Sequence, residues 1–172
     1  KNLSISFTQY ERGTRQTSLQ VIRGLDVTVD PGELVAVIGS SGSGKSLLAH
    51  AVMGILPYNA SASGEILYRG EVLTPRRQKE LRGKEIVLVP QSVSYLDPLM
   101  KVGEQVRNGR RGEAIREKCR RILGSYGLGP ETENLYPFQL SGGMTRRVLI
   151  SSAVMEEPRL VIADEPTPGL HL

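Results

Sequence analysis

Apolar positions along this chain recur with two periods, and the change from one to the other marks out its elements. Leu3, Ile5 and Phe7 alternate with polar residues, which predicts a half-buried strand. Residues 8–18 are polar around Gly13 and predict a loop. Val21, Ile22, Leu25, Val27 and Val29 predict a second strand, closed by the turn Asp30-Pro31-Gly32. The unbroken run Leu34-Val35-Ala36-Val37-Ile38 predicts a third strand. A helical pattern follows, with Leu47, Leu48, Ala51, Val52 and Ile55 on one face until Leu56-Pro57 stops it. Asn59 to Ser63 predicts a polar loop, and Glu65-Ile66-Leu67-Tyr68 a short strand. Thr74 and Pro75 are suited to be the N-cap and first residue of a short basic helix ending at Leu81. Ile86-Val87-Leu88-Val89 is apolar throughout, as a strand covered on both faces in a parallel sheet requires.

Beyond it, Ile115, Cys119, Ile122, Leu123 and Tyr126 fall on one face of a helix predicted over 112–125. Arg116, Lys118, Arg120 and Arg121 occupy the other face. Glu113 and Glu117 interrupt that basic run, so a solvated amphipathic face is favoured over a nucleic-acid or membrane helix. A further helix is predicted to start at Ser141 and end before Pro158. The last apolar run, Leu160-Val161-Ile162-Ala163, leads into Asp164-Glu165. Strands and helices in this order predict an α/β fold.

Composition narrows the classes without choosing among them. The 172 residues are 39% apolar and 23% charged, the balance of a water-soluble domain able to bury a core. No apolar run is long enough to cross a bilayer, and no leader pattern opens the sequence. A single cysteine, Cys119, excludes an internal disulfide, and two histidines offer no evident metal cluster. These features predict a cytosolic setting. The net charge of +4 mildly favours anionic partners.

Three constellations carry chemistry. Gly39-Ser40-Ser41-Gly42-Ser43-Gly44-Lys45-Ser46 fits G-x-x-x-x-G-K-[ST] and stands between a predicted strand and a predicted helix. Its glycines let successive N–H groups turn toward one anion at a helix N-terminus. Lys45 is placed to reach the β- and γ-phosphates of a nucleotide, and the Ser46 hydroxyl to ligate Mg²⁺. An ordinary Gly/Ser turn is the plain alternative, and the flanking strand and helix argue against it.

The second constellation is Asp164-Glu165 at a strand end. Beside such a loop, Asp164 is expected on the metal side and Glu165 as the base that orients or deprotonates the attacking water. The third is Leu140-Ser141-Gly142-Gly143-Met144, where Ser141 is suited to cap a helix whose first N–H groups the glycines leave open; taken by itself, a plain helix cap with a flexible approach is the favoured reading. A whole helical segment separates that helix end from the phosphate loop. It is therefore expected to reach the phosphates of a second copy rather than its own.

In this order, phosphate loop, Gln91 after a strand, Leu-Ser-Gly-Gly, and an apolar strand ending in Asp-Glu, the chain resembles the nucleotide-binding subunit of ATP-binding-cassette (ABC) transporters. The likeness runs from about Leu3 to the last residue. It implies a P-loop NTPase fold with a RecA-like parallel-sheet core, an N-terminal antiparallel β subdomain and an inserted helical subdomain. It also implies ATP and Mg²⁺. The residues from Gly39 to Ser46, together with Leu47, would hold the nucleotide. Phe7 would stack on adenine, with Tyr10 as the alternative. Lys45, Gln91 and Glu165 would serve turnover, with Ser46, Gln91 and Asp164 on the metal. Ser141, Gly142 and Gly143 would cover the γ-phosphate held by an opposing subunit.

Residues 91–98, the stretch Val102-Gly103-Glu104-Gln105, Leu135-Tyr136-Pro137-Phe138, Met144 and Gly54-Ile55-Leu56-Pro57 are similar to oligopeptide, dipeptide and nickel importers, nickel importers most of all. The resemblance implies a second ATP-binding subunit, identical or paralogous, and transmembrane permease subunits. A solute-binding protein would take part indirectly, and no nucleic-acid partner is expected. It places the protein peripherally on the cytoplasmic face of the inner membrane. Residues 1–90 and 156–172 would form the core with its β subdomain, and 91–155 the glutamine loop, helical subdomain and signature helix. The whole would be one domain corresponding to about the first two-thirds of a subunit.

Departures from the family pattern are Pro168-Gly169-Leu170-His171 in place of a small-residue loop ending in Leu-Asp, and Arg146 where glutamine is usual. His171 lies too near Glu165 to be the family's switch histidine. Two other readings remain open. One is a nucleic-acid-associated cassette ATPase, disfavoured because no coiled coil or zinc module separates the motifs. The other is that this piece alone binds nucleotide without turnover.

Overall fold

The fold is described from a computed structural model, which covers residues 1–11 and 15–165, with only the backbone for residues 10, 11, 15 and 16. The departure at 168–171 and the side chain of Tyr10 thus lie outside the described residues. The chain forms two compact units, Lys1–Leu81 and Arg82–Leu172.

In the first unit, β1 (Leu3–Glu11) and β2 (Arg15–Leu25) form an antiparallel hairpin, and β3 (Ala60–Ser63) pairs with the other edge of β1. Two expected loops are therefore strands. Thr8 stands opposite Ser18 and Gln9 opposite Thr17, while Ala60 to Ser63 stand opposite Phe7 to Ser4. Polar and small residues sustain a ladder where no core face has to be filled, and the hydroxyls of Ser6 and Ser61 lie 3.0 Å apart across it. β2 ends at Leu25 and leaves Val27 and Val29 beyond it. There the Asp26 carboxylate takes the Asn2 N–H (2.7 Å), and Gly24, at φ 52°, donates to Ser4 Oγ.

Helix α1 (Lys45–Met53) lays Leu47, Leu48 and Ala51 on Leu3, Ile5 and Ile22 of the hairpin. Its C-terminus closes through Gly54 in the left-handed region, with Gly54 N–H on Ala51 O and Ile55 N–H on His50 O. Helix α2 (Pro75–Leu81) starts where expected. Its Gln78 side chain donates to the carbonyls of Ala51 and Val52 in the last turn of α1, where Ala51 O also takes the Gly54 N–H. The strand expected over 65–68 shrinks to β4 (Leu67–Tyr68). It pairs with β5 (Glu71–Val72) across Arg69-Gly70, both at positive φ as a tight hairpin turn demands.

Leu34 to Ile38 does not form the expected strand. Leu34 is 97% exposed and Ile38 92%, and no described residue pairs with the segment. An apolar run states that a strand would be covered, but only a neighbouring ladder makes it one.

The second unit sets β6 (Ile86–Val89) parallel to β7 (Leu160–Ala163), with Val89 opposite Ala163. Three helices accompany this pair: α3 (Val102–Val106), α4 (Glu113–Ser125) and α5 (Gly142–Val154). Their shared core joins Val102, Val106, Cys119, Leu123, Val148 and Met155, all at most 1% exposed. The apolar face expected of α4 is therefore the one that packs. Its basic face is tied down by ion pairs: Lys118 to Glu157 (2.7 Å) and Arg120 to Glu133 (2.9 Å).

Burial pushes the Cys119 thiol above its ordinary pKa, and the Arg107 guanidinium beside it offsets this only in part. The folded chain thus keeps a proton that the unfolded chain releases. The contribution is present below the unfolded thiol's pKa and is lost as pH rises through the folded one. Iodoacetamide at pH 8 is expected to alkylate Cys119 only as the protein unfolds, as peptide mass mapping along a urea series would show. Full labelling without denaturant would contradict the burial.

Candidate functional site

The expected phosphate loop of the first unit turns sharply into α1. Ser43 N–H closes a turn on Ser40 O (3.2 Å), and Gly42 and Gly44 take φ of 78° and 92°. Gly44 is the N-cap of α1, and a Cβ there would lie 3.0 Å from side-chain carbons of both Val21 and Ile22. Glycine is needed twice at that position, for its conformation and for its fit against β2. α1 has no capping side chain and no acid in its first turn, so its leading N–H groups stand open. Lys45 folds back over the loop, donating from Nζ to Gly39 O and Ser40 O, each at 2.8 Å. Ser46 and Leu47 follow in the first turn. Phe7 lies half-buried on the central strand of the three-stranded sheet, opposite Leu19 and Ala60.

In the second unit the parallel pairing of β6 with β7 brings two distant predicted residues together. Gln91 follows β6 by two residues and Glu165 follows β7 by two, so adjacent strands deliver both to the same edge. There the Gln91 amide nitrogen donates to Glu165 Oε2. Carboxyl ends of parallel strands are where α/β folds place their ligands. Asp164 is anchored beside them by its own N–H on Val89 O (2.9 Å). Glu165 adopts φ 45°, a left-handed conformation that a non-glycine residue holds at a cost of about 1–3 kcal/mol.

Ser141 caps α5 as expected, its Oγ accepting from Met144 N–H (3.3 Å). Gly142 and Gly143 are exposed, and a Cβ on either would touch nothing within 4 Å. The tip of α5 therefore points into open space, free to meet a ligand or another chain.

Two features escaped the sequence pattern. Gln105 organises the loop after Gln91, its side chain accepting from Asp97 N–H (2.8 Å) and donating to the carbonyls of Asp97 and Met100. Arg146 is buried beneath the ends of both strands, where it donates to Glu165 O at 2.9 Å. Its only sequence signal was the exchange for glutamine.

A family model described as ABC transporter matches residues 22–168. The oligopeptide transport ATP-binding protein OppD of Bacillus subtilis (strain 168) is 39% identical over 186 residues, covering 100% of this chain and 51% of OppD. The dipeptide transport ATP-binding protein DppD of Caldanaerobacter subterraneus subsp. tengcongensis is 38% identical, over 92% of this chain and 52% of its own. The dimeric post-hydrolysis structure of the ATP-binding cassette MJ0796, bound to ADP and Pi, superposes with a TM-score of 0.75 at 25% identity. That match covers 98% of this chain and 76% of the cassette. This chain thus spans about half the length of the curated relatives it matches. Matched by that family model over residues 22–168, the chain belongs to the ABC transporter family.

Proposed function

We propose that this chain is the ATP-binding and ATP-hydrolysing part of a subunit that powers an importer of peptides. The observation that carries the reading is the contact of Gln91 with Glu165 at neighbouring strand ends. It supports a base and a water-orienting amide held as one unit. Nucleotide phosphates would lie on the open N–H groups of α1, with Lys45 turning from the loop carbonyls to the β- and γ-phosphates. Glu165 takes a proton from the water that attacks the γ-phosphorus. The bond to the β,γ-bridging oxygen breaks, leaving ADP and phosphate. Gln91 holds the base and, by its amide, the water.

The family also implies Mg²⁺. The donors proposed for it, the Ser46 hydroxyl, the Asp164 carboxylate and the Gln91 amide oxygen, are all hard oxygens. Donors of that kind suit the ion. When bound, the ion neutralises charge on the phosphate oxygens.

Two copies, or this chain and a paralogue, would pair head to tail, the tip at Ser141, Gly142 and Gly143 of one closing on the γ-phosphate held by the other. The open tip and the dimeric form of the MJ0796 cassette support this. Phe7 is proposed as the adenine platform. Residues 1–90 and 156–172 are proposed as the nucleotide-binding core, with 91–155 as the helical insert.

Permease subunits are proposed to seat on the loop after Gln91. There Tyr95 is 69% and Leu99 86% exposed, large apolar surface of the kind that marks an interface. Among the described residues no helix is long and apolar enough to cross a membrane. Peripheral attachment to the cytoplasmic face of the inner membrane is proposed on the strength of the importer relatives. The names of OppD and DppD support peptides as the cargo class. Nickel rests on the sequence resemblance alone.

Phosphate release from MgATP by the full-length protein in its assembled complex tests the proposal. Gly143→Asp, which sets a carboxylate at the α5 tip, is expected to cut release at least about tenfold. ATP should still bind its own phosphate loop. Release that is absent in the unaltered complex, or untouched by this variant, would overturn the head-to-tail ATPase.

A further inference from the structure

We propose that Arg146 is a positioning residue for hydrolysis, a buried fork that holds the Gln91 and Glu165 backbones in one arrangement and ties both to the signature helix. The inference rests on the ATPase reading above for its kinetic consequence, though not for its geometry.

Arg146 lies on α5 about one turn from the exposed tip, and only 8% of its surface is accessible. Its Nη1 donates to Pro90 O and to Gln91 O (3.3 Å), just past β6. Its Nη2 donates to Asp164 O (3.3 Å) and Glu165 O (2.9 Å), just past β7. One planar group thus spans the ends of two parallel strands, one nitrogen serving each. Guanidinium suits that task because its donors diverge in a fixed plane; a lysine ammonium is a point charge with no such fork.

The strand ends need such a partner. Carbonyls beyond the last ladder bond have no strand partner to accept from, and the guanidinium supplies their donors. Glu165 adds a second demand through its φ of 45°, a conformation that persists only where surrounding bonds over-determine it. The bond from Nη2 to the Glu165 carbonyl fixes the backbone, and the Gln91 amide fixes the carboxylate. Arg146 in turn fixes the Gln91 carbonyl, closing a loop of contacts from α5 through both strand ends. Any tilt of α5 is therefore felt at the base and the water-orienting amide together. A closing contact at Ser141 would pass to Glu165 by this route.

Arg146→Met and Arg146→Lys in the full-length assembled protein test the proposal. Methionine fills similar space but donates to neither strand end, so kcat for phosphate release is expected to fall by about 10- to 100-fold with KM for ATP within about twofold. Lysine keeps the charge but not the fork, and should remain at least about fivefold below the unaltered protein. Without nucleotide, amides of residues 91–93 and 164–165 should exchange hydrogen about tenfold faster in Arg146→Met, with those of β6 and β7 unchanged.

Unaltered kcat in both variants, full rescue by lysine, or exchange rising evenly through the second unit would overturn the assignment. Should the unaltered protein release no phosphate, the ATPase reading fails, and the exchange pattern still decides for or against Arg146 as the clamp.

Discussion

Glu165→Gln in the full-length assembled protein should lower phosphate release by about 10²- to 10⁴-fold and leave ATP bound, the range a lost general base produces. The substitution is nearly isosteric. An amide oxygen at position 165 can still accept from the Gln91 nitrogen, and Arg146 still holds the backbone carbonyl, so the site keeps its shape. What is lost is the proton acceptor. Retained nucleotide, read by filter binding, separates a missing base from a collapsed pocket. Turnover equal to that of the unaltered protein would remove Glu165 from the role and leave the Gln91 contact as architecture alone.

Lys45→Ala is expected to weaken MgATP binding by about 30- to 1,000-fold, the equivalent of about 2–4 kcal/mol for truncating one partner of a hydrogen-bonded charge pair. Two losses add in this variant. The phosphates lose a positive partner, and the loop loses the ammonium that gathers the carbonyls of Gly39 and Ser40 when no phosphate is there. Calorimetric titration of the full-length protein measures the first. Affinity within about threefold of the unaltered protein would mean that the N–H groups of α1 suffice alone, and that the lysine is not a nucleotide ligand.

Much of the site could be read from sequence because its parts are local. A phosphate loop is a turn and a helix end within eight residues, and Ser141 caps its helix from the adjoining position. The parallel strands were legible for a related reason: Ile86 to Val89 must be covered on both faces, and an unbroken apolar run says so. The part of the β1–β2 hairpin expected as a loop was hidden because Thr8, Gln9 and Thr17 are polar, and none of them is fully buried. Leu34 to Ile38 erred the other way, being apolar like a strand yet paired with no described residue.

Residue types and short-range spacing therefore sufficed to place a glycine-rich turn ahead of a helix, a carboxylate pair at a strand end and a second helix tip capped by Ser141. Each of those is set by chain neighbours, whose geometry the covalent backbone guarantees. The meeting of Gln91 with Glu165 across 74 residues, and the burial of Arg146 beneath two strand ends, belong to the tertiary structure alone. Strand pairing chooses such partners by register and desolvation, and neither leaves a trace in the order of the residues.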